Sequence, residues 1–252
     1  MKAIVGLTAL ALMLMAVPAS AEDPPHASCE VPAYLLTTES KLPKVAEAIK
    51  TDQKLDILVI GSRSATIGAP DGTGFPGRME AALREKLPSV TVNVTLQLQV
   101  KKTAEDVAKE FDQLLAGKKP TLVIWQTGTV DAMRSVDPDD FRTAVDEGVA
   151  ALQKTGAEVV LMNLQYSPRM ETMITTTPYI DAMRVAAQDR EVPLFDRFAI
   201  MHLWNETGRF DLFSAARGLE MAKRVHDCLG RSLATFVIDA AHLKPAEPGT
   251  QR

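Results

Sequence analysis

The turn Gly61-Ser62-Arg63-Ser64-Ala65-Thr66-Ile67-Gly68 follows an apolar run that ends at Ile60. A hydroxyl on a small-residue turn leaving a buried strand is where a nucleophile would stand, with Ser62 and Ser64 as the candidates. A hydroxyl nucleophile also needs a base to take its proton. The histidines that could serve as base are His26, His202, His226 and His242. Asp239-Ala-Ala-His242 has the acid three residues before the imidazole, but it lies about 20 residues into the last amphipathic run. Along a helix that is on the order of 30 Å from its start, at the end of the fold remote from the serine turn. His202 reads as a loop or short-helix residue and His226 as a helix-face residue.

Other chemistries find no footing. Gly72-Thr-Gly74-Phe-Pro-Gly77 matches GxGxxG, yet it starts a dozen residues past the first strand and contains a proline, so it is not read as a dinucleotide site. The histidines lack ligand spacing and the two cysteines form no CxxC, so neither a metal nor a cofactor is expected. With 28 Lys+Arg against 32 Asp+Glu and a net charge of −4, no basic field exists to hold nucleic acid. A hydrophobic share of 46% excludes a disordered chain.

The elements that must position the turn alternate. Leu55–Ile60, Val90–Leu96, Leu122–Trp125, Val159–Met162 and Val192–Phe195 read as strands. Amphipathic stretches separate them: Phe75–Leu87, Ala104–Leu115 behind the cap Thr103, Pro138–Leu152 behind Asp137, Tyr179–Ala187, and a last helix from Leu219 to Val237. Strands apolar on both faces, alternating with helices, predict an α/β fold: a three-layer α/β/α sandwich on a five-stranded parallel sheet, flavodoxin-like. Ligands in such sheets bind at the carboxyl ends of the strands.

Lys2, the apolar run Ala3–Val17 and Ala19-Ser-Ala21 predict a signal peptide over 1–21, cleaved to leave a periplasmic or secreted product with no membrane insertion. Residues 22–43 are expected as an N-terminal arm, 44–242 as one domain and 243–252 as a disordered tail. In an oxidising compartment Cys29 and Cys228 are expected to pair.

The chain resembles the SGNH/GDSL hydrolase family over almost its whole mature length. It is similar to an exported subgroup whose first block reads G-S-S-S-T, followed by a helix like Arg78-Met79-Glu80. Trp125-Gln126-Thr127-Gly128-Thr129-Val130-Asp131 resembles W-Q-x-G-T-N-D, and Leu164-Gln165-Tyr166-Ser167-Pro168-Arg169 resembles L-Q-Y-x-P-R. Phe198 to Met201 with Trp204, and the paired cysteines, fit the subgroup as well. The resemblance implies the SGNH-hydrolase fold and a Ser nucleophile with a His base held by an Asp. It also implies an oxyanion hole built on two backbone N–H groups and an Asn side chain.

At the chemical positions this sequence departs from the family. The nucleophile position falls on Arg63, the oxyanion Gly on Lys101 and the Asn on Val130. Arg217-Gly218-Leu219-Glu220-Met221 aligns with D-G-L-H-M, so Arg217 replaces the Asp and Glu220 the His. In another register Asp211 keeps the acid, but Ser214 replaces the His. A guanidinium cannot attack an ester, and Val130 offers no donor. The expectation is a pseudo-hydrolase with a structural or ligand-binding role. Arg63 and Arg217 would hold a small anionic or acidic-glycan ligand, or Arg217 and Glu220 would pair internally. The alternative is an active ester hydrolase using Ser62 or Ser64.

Overall fold

The computed structural model describes residues 29–66, 74–213 and 218–243. The signal peptide expected over 1–21, His26, Arg217, Ser214 and the tail beyond Leu243 lie outside the described residues, as does part of the GxGxxG match.

After a 3-10 turn at Ala33–Leu35, the chain runs α1 (Pro43–Thr51), β1 (Lys54–Gly61), a 3-10 turn Arg63–Ala65, α2 (Phe75–Lys86) and β2 (Thr91–Leu98). It continues through α3 (Ala104–Ala108), α4 (Phe111–Leu115), β3 (Leu122–Gln126), α5 (Thr129–Met133), α6 (Pro138–Lys154) and β4 (Glu158–Met162). The remainder is α7 (Pro168–Glu171), α8 (Thr177–Asp189), β5 (Leu194–Phe195), α9 (Arg197–Glu206) and α10 (Gly218–Ala240). The five strands form one parallel sheet in the order β2-β1-β3-β4-β5, the flavodoxin-like order expected from the sequence.

Alternation along β1 and β3 sorts the core into two layers. Leu55, Ile57, Val59, Leu122 and Ile124 face a cluster shared with α1, α2, α9 and α10. Leu58, Ile60, Val123 and Trp125 face one shared with α3, α4, α6 and α8. Two glycines permit the closest approaches. A Cβ on Gly230 would stand 2.5 Å from the Arg78 Cβ, where α10 crosses α2, and one on Gly148 would stand 2.5 Å from the Trp125 ring, where α6 crosses β3.

Three local differences from the sequence reading have physical causes. The helix expected over 104–115 is split into α3 and α4. The break at Lys109–Glu110 re-aims the chain so that Val107 as well as Phe111, Leu114 and Leu115 reach the core. The last strand begins only at Leu194, because Pro193 has no N–H to give the ladder. The stretch 197–206, read only as a loop or short helix, is the ten-residue α9, capped by Asp196, whose carboxylate accepts the Ala199 N–H at 2.9 Å.

Cys29 and Cys228 are joined, with Cα atoms 4.9 Å apart across 199 residues of chain. Closing a loop this long stabilises the fold by about 5 kcal/mol in the chain-entropy account. The bridge fastens the arm to α10, and the Trp204 indole fastens it again by donating to the Glu30 carbonyl at 3.2 Å. Among the described residues no helix is long and apolar enough to cross a membrane.

Candidate functional site

The turns leaving β1, β2, β3 and β5 meet at the carboxyl edge of the sheet. Ser62 caps the turn Arg63–Ala65, accepting the Ser64 N–H on its own hydroxyl at 3.4 Å. The two seryl oxygens are 3.0 Å apart. Gln126, at the end of β3, donates from Nε2 to Ser62 Oγ at 3.0 Å and to Ser64 Oγ at 2.7 Å. It reaches them because Gly61 has no side chain: a Cβ there would stand 2.8 Å from Gln126 Oε1.

A second donor comes from below. Arg197, the first residue of α9, is 1% exposed. Its Nη1 donates to Ser64 Oγ at 3.3 Å and its Nη2 to Gln165 Oε1 at 2.7 Å, while Nε has no partner. No carboxylate among the described residues pairs with it. Burial alone pushes its pKa down to about 9, so the guanidinium is charged at neutral pH inside the protein.

The histidines are committed elsewhere. His226 accepts the Phe75 N–H on Nδ1 at 2.9 Å. Burial, and secondarily the Arg197 charge, push its pKa down to about 4, so it is neutral at pH 7. His202 packs against Tyr166 and Phe198 and faces Glu206 at 3.3 Å. His242 is exposed beyond the far end of α10. None of these three hydrogen-bonds to Ser62 or Ser64.

Of the positions singled out in the sequence, Arg63, Lys101 and Val130 line one depression of about 560 Å³ together with Ser62 and Ser64. Arg63 and Lys101 are exposed, and Val130 is half-buried. Val100 and Met133 complete an apolar floor. Lys101 holds a left-handed backbone (φ 62°), and its carbonyl accepts from Arg134 Nη2 at 2.7 Å. Arg134 also faces Asp106 at 3.7 Å. Glu220 does not line this depression. It is exposed and pairs with Lys223 at 2.9 Å, so among the described residues its partner is one turn down α10. Arg217, expected beside it, lies outside the described residues.

Asp131, last residue of the W-Q-x-G-T-N-D-like block, is buried and ties two elements together. Its Oδ1 accepts the Ala104 N–H at 2.8 Å, joining α5 to α3. Burial raises its pKa, and the backbone N–H donors only partly offset that.

Three residues of the site were quoted in the sequence without a role or passed over. Gln126 and Gln165 stand inside the blocks that carry the resemblance. Arg197 gave no signal, because an arginine after a helix cap is ordinarily a surface residue. Gln126 and Arg197 donate to the seryl hydroxyls, and the Gln165 amide oxygen accepts from Arg197. A nucleophile needs an acceptor for its proton, and none of the described side chains touching the two serines, apart from the serines themselves, is positioned to take one.

Several solved structures share this fold. An acetyl-xylooligosaccharide esterase from Geobacillus Stearmophilus, in a mutant form, superposes with a TM-score of 0.59 at 17% identity, covering 73% of this chain and 93% of that one. The crystal structure of TesA gives 0.55 at 20% identity, with coverages of 70% and 97%. AlinE4, described as an SGNH-hydrolase family esterase, gives 0.54 at 21% identity, with coverages of 66% and 89%. At these identities the likeness is one of fold. No curated protein matches significantly. The model of the non-GDSL lipase-like family matches residues 28–243, all but the ends of the sequence, so the chain belongs to the non-GDSL lipase-like family.

Proposed function

We propose that this is an exported SGNH-fold protein that binds a ligand at the former catalytic edge and does not hydrolyse it. One observation carries the reading: the hydroxyls of Ser62 and Ser64 are held by the Gln126 amide and the Arg197 guanidinium, both donors. Lone pairs occupied in this way are poor nucleophiles, and a cation beside Ser64 opposes the approach of an imidazolium. The resemblance implies that Arg63 stands at the nucleophile position and Val130 at the oxyanion Asn, and neither side chain can do that work; Lys101, at the oxyanion Gly, keeps only the backbone N–H. In the final block the positions of the catalytic Asp and His read Arg217 and Glu220.

The test is turnover of nitrophenyl acetate, nitrophenyl butyrate and an acetylated xylo-oligosaccharide. The expected rate is indistinguishable from buffer, and unchanged in Ser62→Ala and Ser64→Ala. A rate that either variant abolishes would overturn the reading. The second reading, an active ester hydrolase on Ser62 or Ser64, is favoured by one feature: both serines line the open depression on a fold shared with esterases.

A further inference from the structure

We infer that the depression beside the serine turn binds a single-chain amphiphilic anion: an unbranched alkyl tail ending in a carboxylate, phosphonate or sulfate. The inference rests on the non-hydrolytic reading above and names the ligand class of that site. Two independent features of the depression meet in such a ligand. Its floor is apolar and open to solvent: Met133 is 64% exposed and Val100 41%, and Val130 lines the same depression. Leu98, 43% exposed at the end of β2, extends the apolar surface along the same edge. Large hydrophobic side chains grouped in this way at a sheet's ligand-binding edge mark a binding surface.

The rim is cationic. Among the described residues, the Arg63 and Lys101 side chains make no hydrogen bond or ion pair, Arg134 stands beside them, and no acidic residue lines the depression. The left-handed Lys101 backbone, held by Arg134 through its carbonyl, fixes where that ammonium leaves the chain. A bare phosphate or an acidic sugar would leave Val100, Val130 and Met133 uncovered. A neutral lipid would leave Arg63 and Lys101 unused. At about 560 Å³ the space suits a small molecule and not a protein segment.

Isothermal titration with sodium acetate, hexanoate, octanoate and decanoate, all below their micellar concentrations, and with 1-octanol, tests the inference. Octanoate is expected to bind at least tenfold more tightly than acetate or octanol, with about threefold tightening per added methylene. The Arg63→Gln, Lys101→Asn double variant is expected to lose at least tenfold while keeping the wild-type melting temperature; asparagine tolerates the left-handed backbone. Met133→Ser is expected to flatten the chain-length series. Acetate binding as tightly as octanoate, octanol binding as tightly as octanoate, or binding only to phosphatidylglycerol vesicles would each overturn the assignment. Nitrophenyl octanoate separates the two readings. Turnover lost in Ser64→Ala or Ser62→Ala overturns the non-hydrolytic reading, whatever octanoate does. No turnover together with no octanoate binding overturns the ligand class alone.

Discussion

At the amino end of the sheet, Glu158 accepts the Val45 N–H at 2.8 Å, Lys44 reaches the Gly156 carbonyl at 2.8 Å, and Asn93 and Lys54 share the Asp56 carboxylate. At the carboxyl end the polar groups are not matched in this way. The buried side-chain atoms without a partner among the described residues are Gln99 Oε1, Trp125 Nε1, Gln126 Oε1, Asp131 Oδ2, Arg78 Nε and Arg197 Nε. Each belongs to a strand's last residues, to the turn that follows, or to the first turn of a helix above that edge. An unmatched buried group costs about 1–3 kcal/mol, so one end of the fold carries a cost that the other avoids. Natural folds keep such costs where a function requires them. The amino end is matched as a scaffold is, and the carboxyl end, where Ser62, Ser64, Gln126 and Arg197 meet, concentrates the unmatched buried polar groups.

The largest effect expected from this asymmetry is in acid. His226 has a folded pKa of about 4 against about 6.5 in an unfolded chain. The unfolded state therefore binds the extra proton between these values. The stability due to neutral His226 is full above about pH 6.5 and is lost as pH falls toward 4, by about 3 kcal/mol in all. Denaturant melts across that range check it, with His226→Asn as the control expected to flatten the slope. An unchanged slope in the variant would remove His226 from the account.

At the amino end, Glu158→Ala strands the buried Val45 N–H and is expected to cost about 1–3 kcal/mol. Arg197→Met makes the opposite case at the carboxyl end. It removes a buried charge that no carboxylate among the described residues pairs with, and well-packed apolar replacements of buried ions are commonly neutral or stabilising by about 1–4 kcal/mol. Its melting temperature is expected to match or exceed wild type, and the His226 pKa, followed by NMR, is expected to rise once the neighbouring charge is gone. A loss of stability comparable to that of Glu158→Ala would make Arg197 scaffold and erase the contrast. The smallest effect is Arg63→Ala: an exposed side chain without partners among the described residues should change stability by less than about 0.5 kcal/mol.

Much of the scaffold was legible in the sequence because it rests on local pattern. Leu55–Ile60 and Leu122–Trp125 are apolar on both faces and so announce buried parallel strands, and Asp137-Pro138 announces α6. The carboxyl edge was legible only in outline. The turn around Ser62 and the positions of Arg63, Lys101 and Val130 could be located. That Gln126 would grip both serines depends on Gly61 opening a path between two strands, a relation between residues 65 positions apart. Arg197 is harder still, since nothing local distinguishes a buried arginine from an exposed one. Glu220 shows the converse: the position assigned by resemblance pairs with Lys223 on its own helix.

The central claim is that the two serines are held and not activated. Its most direct test is intact-mass spectrometry of the purified protein after long incubation with excess fluorophosphonate. The account predicts an unmodified mass under conditions that fully label an active serine esterase. A single stoichiometric adduct mapping to Ser62 or Ser64 would contradict it.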